Sequence, residues 1–243
     1  MLPYTVNKFS LFSDWHVLKT DLIMIGQNLL KVRQRMREAA LRSRRDPETI
    51  KLVVVTKEAG LDEIRQVIKA GETDVGENRV KDAAAKRDLI DSSIINWHMV
   101  GHLQSNKARD AVRIFTFIHS VDSLKLAGVI NKEAKKIAKV QDILIEVNVS
   151  GEQRKFGIKP DMIDSFLSES RSMRNINVRG LMAMAPFTNN PEDSRPVFSG
   201  LRRAAESNGL RELSMGMTQD FEVAIEEGAT MIRVGSAIIK PDR

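Results

Sequence analysis

Short apolar segments alternate with amphipathic segments along almost the whole chain, and this alternation limits the folds open to it. Residues 52–55 and 143–147 are continuously apolar, which suits strands of a parallel sheet buried on both faces. Regular alternation of strands and helices predicts such a sheet covered by helices, and eight repeats favour a (β/α)8 TIM-type barrel over an open sheet. The predicted strands are residues 52–55, 73–75, 96–100, 116–120, 143–147, 178–182, 212–214 and 231–234.

Helical segments fill the spaces between these strands. A further helix precedes the first strand, because Leu22, Ile25, Leu29 and later apolar residues recur at helical spacing up to about residue 41. Residues 1–20 have weak periodicity and are interpreted as an N-terminal extension, with the barrel domain at residues 21–243. The predicted helices between strands are residues 61–70, 81–90, 107–112, 123–139, 160–170, 193–208 and 218–227.

The chain has no cysteine, which excludes disulfides, thiolate metal sites and cysteine nucleophiles. This composition fits a reducing compartment. The apolar run at residues 22–25 is too short for an export signal and lacks a basic segment before it, and no stretch is long enough to cross a membrane. We therefore expect a cytoplasmic protein.

The net charge of +6 lies on one segment. Residues 19–45 contain eight Lys or Arg against two acidic residues, which leaves 8 − 2 = +6. A basic helix can bind nucleic acid, but no aromatic residues interleave with these charges and no nucleic-acid motif follows. A solvated outer helix face is the favoured interpretation, and nucleic-acid binding is kept as an alternative that predicts steeply salt-dependent affinity.

Polar residues that could carry chemistry follow the strands, at the end of a barrel where active sites are built. Lys57 follows the first strand, where partial burial would lower its pKa and favour attack on an aldehyde. A lysine that merely reaches from a strand end into solvent is the alternative. Gly216 follows strand seven, and Gly235 and Ser236 follow strand eight, where many barrels bind phosphate.

Several motifs together resemble the pyridoxal phosphate homeostasis protein family, which has the fold of the N-terminal domain of alanine racemase. The resemblance runs from about residue 22 to about residue 239, and its longest motif is WHMVGHLQSNK at residues 97–107. Where family members often have threonine, this chain has Ser236, which keeps the hydroxyl. The other motifs are LVVVTK at 52–57, GENR at 76–79, EVNV at 146–149, FG at 156–157, GLMA at 180–183, LSMGM at 213–217 and IRVGS at 232–236.

The resemblance implies that Lys57 holds pyridoxal 5'-phosphate as a Schiff base, the internal aldimine, and that Arg233 is the partner of the pyridine nitrogen. It also implies a role in intracellular pyridoxal phosphate homeostasis, as a carrier or regulator that influences supply to enzymes dependent on this cofactor. The remaining implied cofactor contacts are Ser214, Gly235 and Ser236 for the phosphate, and Asn78, His98 and Met215 around the pocket.

The residues favour binding over catalysis. An arginine can only donate a hydrogen bond, so the pyridine nitrogen facing Arg233 would stay unprotonated and the cofactor would be a poor electron sink. Racemisation would still need a second acid or base, which a tyrosine from a separate domain supplies in alanine racemase. Here the chain ends soon after strand eight and its one tyrosine is Tyr4 in the extension. We expect no catalytic residue and a monomer, with weak racemase or related chemistry as the alternative.

A metal site is not expected. His98 and His102 are four residues apart, but the segment is predicted to be a strand and turn rather than a helix, and no glutamate stands between them. These histidines and His119 are interpreted as structural or pocket residues.

Overall fold

The computed structural model describes residues 9–90, 94–152 and 156–240, with side chains from residue 24 onward. Within these ranges, eight parallel strands close into a barrel in chain order, and β1 pairs with β8. This arrangement confirms the predicted barrel with a helix before the first strand. The strands are β1 Lys51–Val55, β2 Asp74–Glu77, β3 Asn96–Met99, β4 Phe117–Val121, β5 Gln141–Glu146, β6 Ile176–Met182, β7 Glu212–Ser214 and β8 Met231–Val234.

The helices pack on the outside of the barrel wall and bury the main hydrophobic core against it. They are α1 Phe9–Arg42, α2 Leu61–Lys69, α3 Val80–Arg87, α4 Ala108–Ile114, α5 Leu124–Lys136, α6 Ile163–Ser170, α7 Arg195–Ser207, α8 Phe221–Glu226 and α9 Ser236–Ile239. The first helix begins at Phe9 rather than near Leu22, so much of the expected extension is helical. Residues 1–8, with Tyr4, and residues 241–243 lie outside the described residues.

Helix α1 covers the seam between β1 and β8. Within the described residues, β8 is followed only by Gly235, the four residues of α9 and Lys240, and this segment is too short to cover the seam. Helix α1 packs there instead, against α2, α8 and α9. The Asn28 side-chain amide donates to the Ile238 carbonyl at 3.1 Å, and Leu29 on the same helix is buried.

The cations of α1 largely face carboxylates on neighbouring elements. Arg33 donates to Glu72 at 2.7 Å. Arg35 donates twice to Glu222 on α8, at 2.8 and 3.1 Å, and stacks over the ring of Phe221. The basic segment therefore stabilises the seam instead of presenting every charge to solvent, which supports a structural interpretation of the charge excess.

The barrel interior is filled in layers. Phe117, Leu144, Met182 and Met231 form a small apolar cluster separate from the main core. Strands β4 and β8 are not neighbours, so Phe117 and Met231 can share a cluster only across the interior. Because side chains alternate along a strand, residues two positions further on also point inward, one layer closer to the carboxyl ends of the strands.

Candidate functional site

Lys57 lies at the carboxyl end of β1, at the barrel mouth. It follows Val55, the last residue of β1, by two positions and lies in the turn after the strand. About half of the Lys57 side chain is exposed (52%), and its Nζ atom is 3.8 Å from Glu58 Oε1. An amine in this position is open to a molecule that enters from solvent.

The turns after β7 and β8 form a second part of the mouth. Gly216 has φ of +88°, and a Cβ atom there would lie 2.5 Å from the Ala224 Cβ, so only glycine fits. At Gly235 a Cβ would lie 3.0 Å from the Val55 carbonyl oxygen, which brings this turn close to β1. The two turns also meet through side chains, because Ser236 Oγ donates to Thr218 Oγ1 at 3.0 Å. An exposed hydroxyl, a half-buried hydroxyl and two glycines therefore share one side of the mouth.

Arg233 lies below the mouth, in the interior layer above the apolar cluster. It is buried, and its guanidinium donates to Ser214 Oγ at 2.6 Å and to the Ala183 carbonyl at 3.0 Å. Burial lowers the pKa of Arg233 to about 10, which leaves the group charged at neutral pH. Ser214 is fully buried, and its hydroxyl also lies 2.9 Å from His119 Nδ1. In this structure Ser214 therefore contacts side chains of the barrel interior, and its expected phosphate contact stays a prediction.

Glu146 belongs to the same layer. It lies two residues after Leu144, is only 3% exposed, and its Oε2 atom has no hydrogen-bond partner among the described residues. Burial raises the pKa of its carboxyl group to about 7, and the negative charge of Asp122 adds to this effect while Arg233 opposes it. A buried carboxyl with a free oxygen near neutral pKa can accept or give a proton.

Three other expected contacts lie in different surroundings. Asn78 is exposed after β2, at the same end of the barrel as Lys57, and Gly101 packs against its backbone. The side chain of Met215 is buried in the main core, outside the barrel wall. His98 lines a cavity at the opposite end, where its Nε2 atom lies 2.8 Å from Asp74 Oδ1. The structure therefore brings together Lys57, Gly235, Ser236 and Asn78 at the mouth, with Arg233 and Ser214 beneath them.

The cavity beside His98 has a volume of about 270 Å³ and opens at the amino-terminal end of the strands. Its charged walls come from Lys51, Asp74, Asp142, Arg179 and Glu212. Barrel enzymes build their active sites at the other end, so we do not place the cofactor here.

Sequence reasoning gave no site role to Thr218 or Glu146, and it interpreted His119 only as a structural or pocket residue. Thr218 could have been found as a hydroxyl two residues after Gly216. Glu146 begins the EVNV motif, but only the closed barrel shows that it and His119 share an interior layer with Arg233. Inward alternation from the apolar residues Phe117 and Leu144 is the signal that could have identified both.

No group of three or more His, Asp or Glu residues in the described part of the chain could hold a metal ion. His98 is bonded to Asp74, whereas His102 pairs with Asp122 at 3.3 Å and stacks on Phe156 with ring centres 3.7 Å apart. Among the helices of residues 9–90, 94–152 and 156–240, none is long and apolar enough to cross a membrane.

Comparison with known proteins gives consistent matches over most of the chain. The model of the alanine racemase N-terminal domain matches residues 26–241. The pyridoxal phosphate homeostasis protein of Aquifex aeolicus is 38% identical over 87% of this chain and 96% of its own length. The protein of the same name from Pseudomonas aeruginosa is 37% identical, over 88% of this chain and 94% of its own.

Solved structures agree with these matches. PipY of Synechococcus elongatus, determined with PLP bound, has a TM-score of 0.75 and 33% identity, covering 88% of this chain and 99% of PipY. Its form without PLP has a TM-score of 0.76 and 35% identity, over 84% of this chain and 99% of PipY.

Proposed function

Since the chain belongs to the pyridoxal phosphate homeostasis protein family, we propose that it binds pyridoxal 5'-phosphate at the barrel mouth through a Schiff base on Lys57. In this role it carries the cofactor and regulates its supply to enzymes that depend on it. One observation carries the proposal. The accessible amine of Lys57 lies at the same end of the barrel as the turns after β7 and β8, which provide glycines and hydroxyls. The relative PipY, known with PLP bound, supports the same choice of ligand.

The residues present fit this cofactor. The close approach of Gly235 to Val55 leaves the turn free of side-chain bulk, and the hydroxyls of Ser236 and Thr218 can donate to a phosphate. Asn78 is exposed at the same end, where it can line the pocket. Arg233 lies deeper and can donate only, which suits an unprotonated ring nitrogen.

Bound pyridoxal phosphate supplies an aldehyde that reacts with amines and a ring that can accept electrons. Arg233 limits the second property, because its guanidinium stays charged and offers no acceptor that would stabilise a proton on the ring nitrogen. This supports a role in holding and delivering the aldehyde with little or no turnover.

The test is the visible spectrum of the protein with added pyridoxal phosphate, followed by borohydride reduction and mass mapping of peptides. We expect a yellow Schiff base trapped on the peptide that contains Lys57, and its loss in Lys57→Ala. The matched control is Lys240→Ala, since the Lys240 amine lies 3.9 Å from the other carboxylate oxygen of the same Glu58. Trapping that persists in Lys57→Ala, or that spreads over surface lysines, would contradict the proposal.

One observation favours a second candidate function, weak amino-acid racemase or related chemistry on the same cofactor. Glu146 is a buried carboxyl with a pKa of about 7, a free oxygen and a place in the layer beneath the mouth. Such a group is suited to exchange a proton with a substrate near neutral pH.

Exchange of the α-proton of alanine with deuterated water separates the two functions. A carrier gives no exchange above that of free pyridoxal phosphate. A weak racemase gives exchange that disappears in Lys57→Ala and falls in Glu146→Gln, whereas exchange that Glu146→Gln leaves unchanged would exclude Glu146 as the base.

A further inference from the structure

Five side chains form a continuous hydrogen-bonded chain through the barrel interior. It begins at Arg233 Nη1, which lies 2.6 Å from Ser214 Oγ. Ser214 Oγ is 2.9 Å from His119 Nδ1, and His119 Nε2 is 2.9 Å from His98 Nδ1. His98 Nε2 then lies 2.8 Å from Asp74 Oδ1. The chain therefore runs from the layer beneath the mouth to the wall of the cavity at the opposite end.

The two ends of this chain fix the direction of every hydrogen bond in it. Arg233 can only donate, so Ser214 accepts from it, and the Asp74 carboxylate can only accept, so His98 donates to it from Nε2. A neutral His98 then accepts on Nδ1 from His119 Nε2. A neutral His119 in turn accepts on Nδ1 the proton of the Ser214 hydroxyl. Each donor has one acceptor, and both imidazoles are neutral with the proton on Nε2.

The charges around the chain support this proton order. Burial lowers the pKa of His98 and lowers that of His119 well below the usual value, so both rings stay neutral. The positive charge of Lys51 further lowers the pKa of both rings, and the positive charge of Arg233 further lowers that of His119. Asp74 opposes the lowering at His98, and its own pKa is lowered overall, because the bond from His98 and the charge of Lys51 outweigh its burial. A cation at one end and an anion at the other polarise the neutral groups between them in one direction.

We propose that His98 and His119 are positioning residues that orient Arg233 through Ser214. The hydrogen-bonded chain holds Nη1 of the guanidinium on Ser214, while the Ala183 carbonyl accepts from Nη2. It also commits the only proton of the Ser214 hydroxyl to His119, so Ser214 has none to give to a phosphate. The consequence for the cofactor, an arginine aimed at the ring nitrogen, rests on the proposed function.

The proton order can be tested without any cofactor. In ligand-free protein labelled with ¹⁵N-histidine, we expect His98 and His119 to show a protonated Nε2 and an unprotonated Nδ1 at pH 7. Ser214→Ala should shift the Nδ1 resonance of His119 and also the resonances of His98, which Ser214 does not touch. His102 does not belong to the hydrogen-bonded chain, so its resonances should not shift and serve as the internal control. A charged ring, or a proton on Nδ1 of either histidine, would overturn the proposal.

A second measurement tests the consequence for the cofactor. The probes are pyridoxal phosphate and 5-deoxypyridoxal, which keeps the ring and aldehyde but lacks the phosphate. Loss of one hydrogen bond to a charged group reduces affinity by about tenfold. We therefore expect Ser214→Ala to weaken both probes by about tenfold, because its effect acts through Arg233 and the ring.

The matched variant is Ser236→Ala, on the phosphate side of the mouth, which should weaken pyridoxal phosphate and leave 5-deoxypyridoxal unchanged. If Ser214→Ala gave this same pattern, Ser214 would be a phosphate ligand and the positioning role would be wrong. If the wild-type protein bound neither probe, the proposed function would fail, and the histidine resonances of the ligand-free protein would still decide the proton order.

Discussion

The carboxyl group of Glu146 shows how the barrel interior changes the chemistry of a single residue. The same side chain on the surface would be ionised at neutral pH, but here burial raises its pKa from 4.5 to about 7. Between these values the folded protein holds a proton that the unfolded chain has released. The stability that this proton contributes is fully present below pH 4.5 and is lost as the pH rises through 7.

Glu146→Gln should therefore become more stabilising, relative to the wild type, as the pH rises. The glutamine stays neutral, so the free-energy difference in its favour should grow by about 2 to 3 kcal/mol between pH 5 and pH 8.5. Urea unfolding at the two pH values measures this change. Glu48→Gln, at an exposed glutamate, is the control and should show no such trend. A pH-independent effect of Glu146→Gln would show that Glu146 does not titrate in this range.

The position of the mouth residues was accessible to sequence reasoning, and the contacts of the interior residues were not. Lys57, Gly235 and Ser236 directly follow predicted strands, so their common position needed only the fold class. The surroundings of Ser214 and His98 depend instead on which side chains meet across a closed barrel. A single strand shows which face a residue is on, but it does not show its partner on the far wall.

At the scale of secondary structure, α1 covers the seam that the four residues of α9 are too few to cover. Its buried residues, including Leu29 and Val32, belong to the main core, while Leu30 on the opposite face is exposed. Burial against α8 and α9, more than helix propensity, therefore stabilises α1 where it covers the seam.

Leu29→Ala should lower the free energy of unfolding by about 2 to 5 kcal/mol, because it removes a buried side chain and leaves a cavity under the seam. The neighbouring Leu30 is 72% exposed, against 3% for Leu29, so Leu30→Ala should change stability by less than about 0.5 kcal/mol. Denaturant unfolding followed by circular dichroism measures both. Equal effects of the two substitutions would mean that α1 does not pack on the barrel in this register.

The sequence predicted the strands more closely than the ends of the helices. Strands β7 and β8 agree at both ends, because glycines near their ends interrupt the apolar pattern. The helix expected at residues 123–139 ends at Lys136, since Ala138 adopts a left-handed conformation with φ of +52°. Helix α8 starts at Phe221 because the Met217 amide donates to Asp220 at 2.7 Å in a preceding turn. Such local turns leave no periodic signal.

For the molecule as a whole, the net charge of +6 does not amount to a nucleic-acid surface. Arg33, Arg35 and Arg42 form ion pairs with Glu72, Glu222 and Glu226, and Arg45 donates to a backbone carbonyl. Paired cations release few counterions from DNA, which is the main source of non-specific affinity.

We therefore expect only weak binding to duplex DNA, with no complex at micromolar protein in 150 mM salt. Fluorescence anisotropy with a labelled 20-base-pair duplex measures this directly. Tight binding that falls steeply between 50 and 200 mM salt and survives Lys57→Ala would instead support the nucleic-acid alternative.

The position of α1 also has a consequence for how this chain acquires its structure. The contact between Asn28 and Ile238 joins residues 210 positions apart, so the barrel closes through one of the longest loops the chain allows. Contacts of such high sequence separation slow folding, because the entropy of loop closure is lost before they form. A ribosome synthesises α1 early and α8 and α9 late, so the part of α1 that packs on α8 and α9 is covered only after those helices have emerged. Docking of α1 at the seam is therefore a late step of folding, whereas its contacts with α2 can form early.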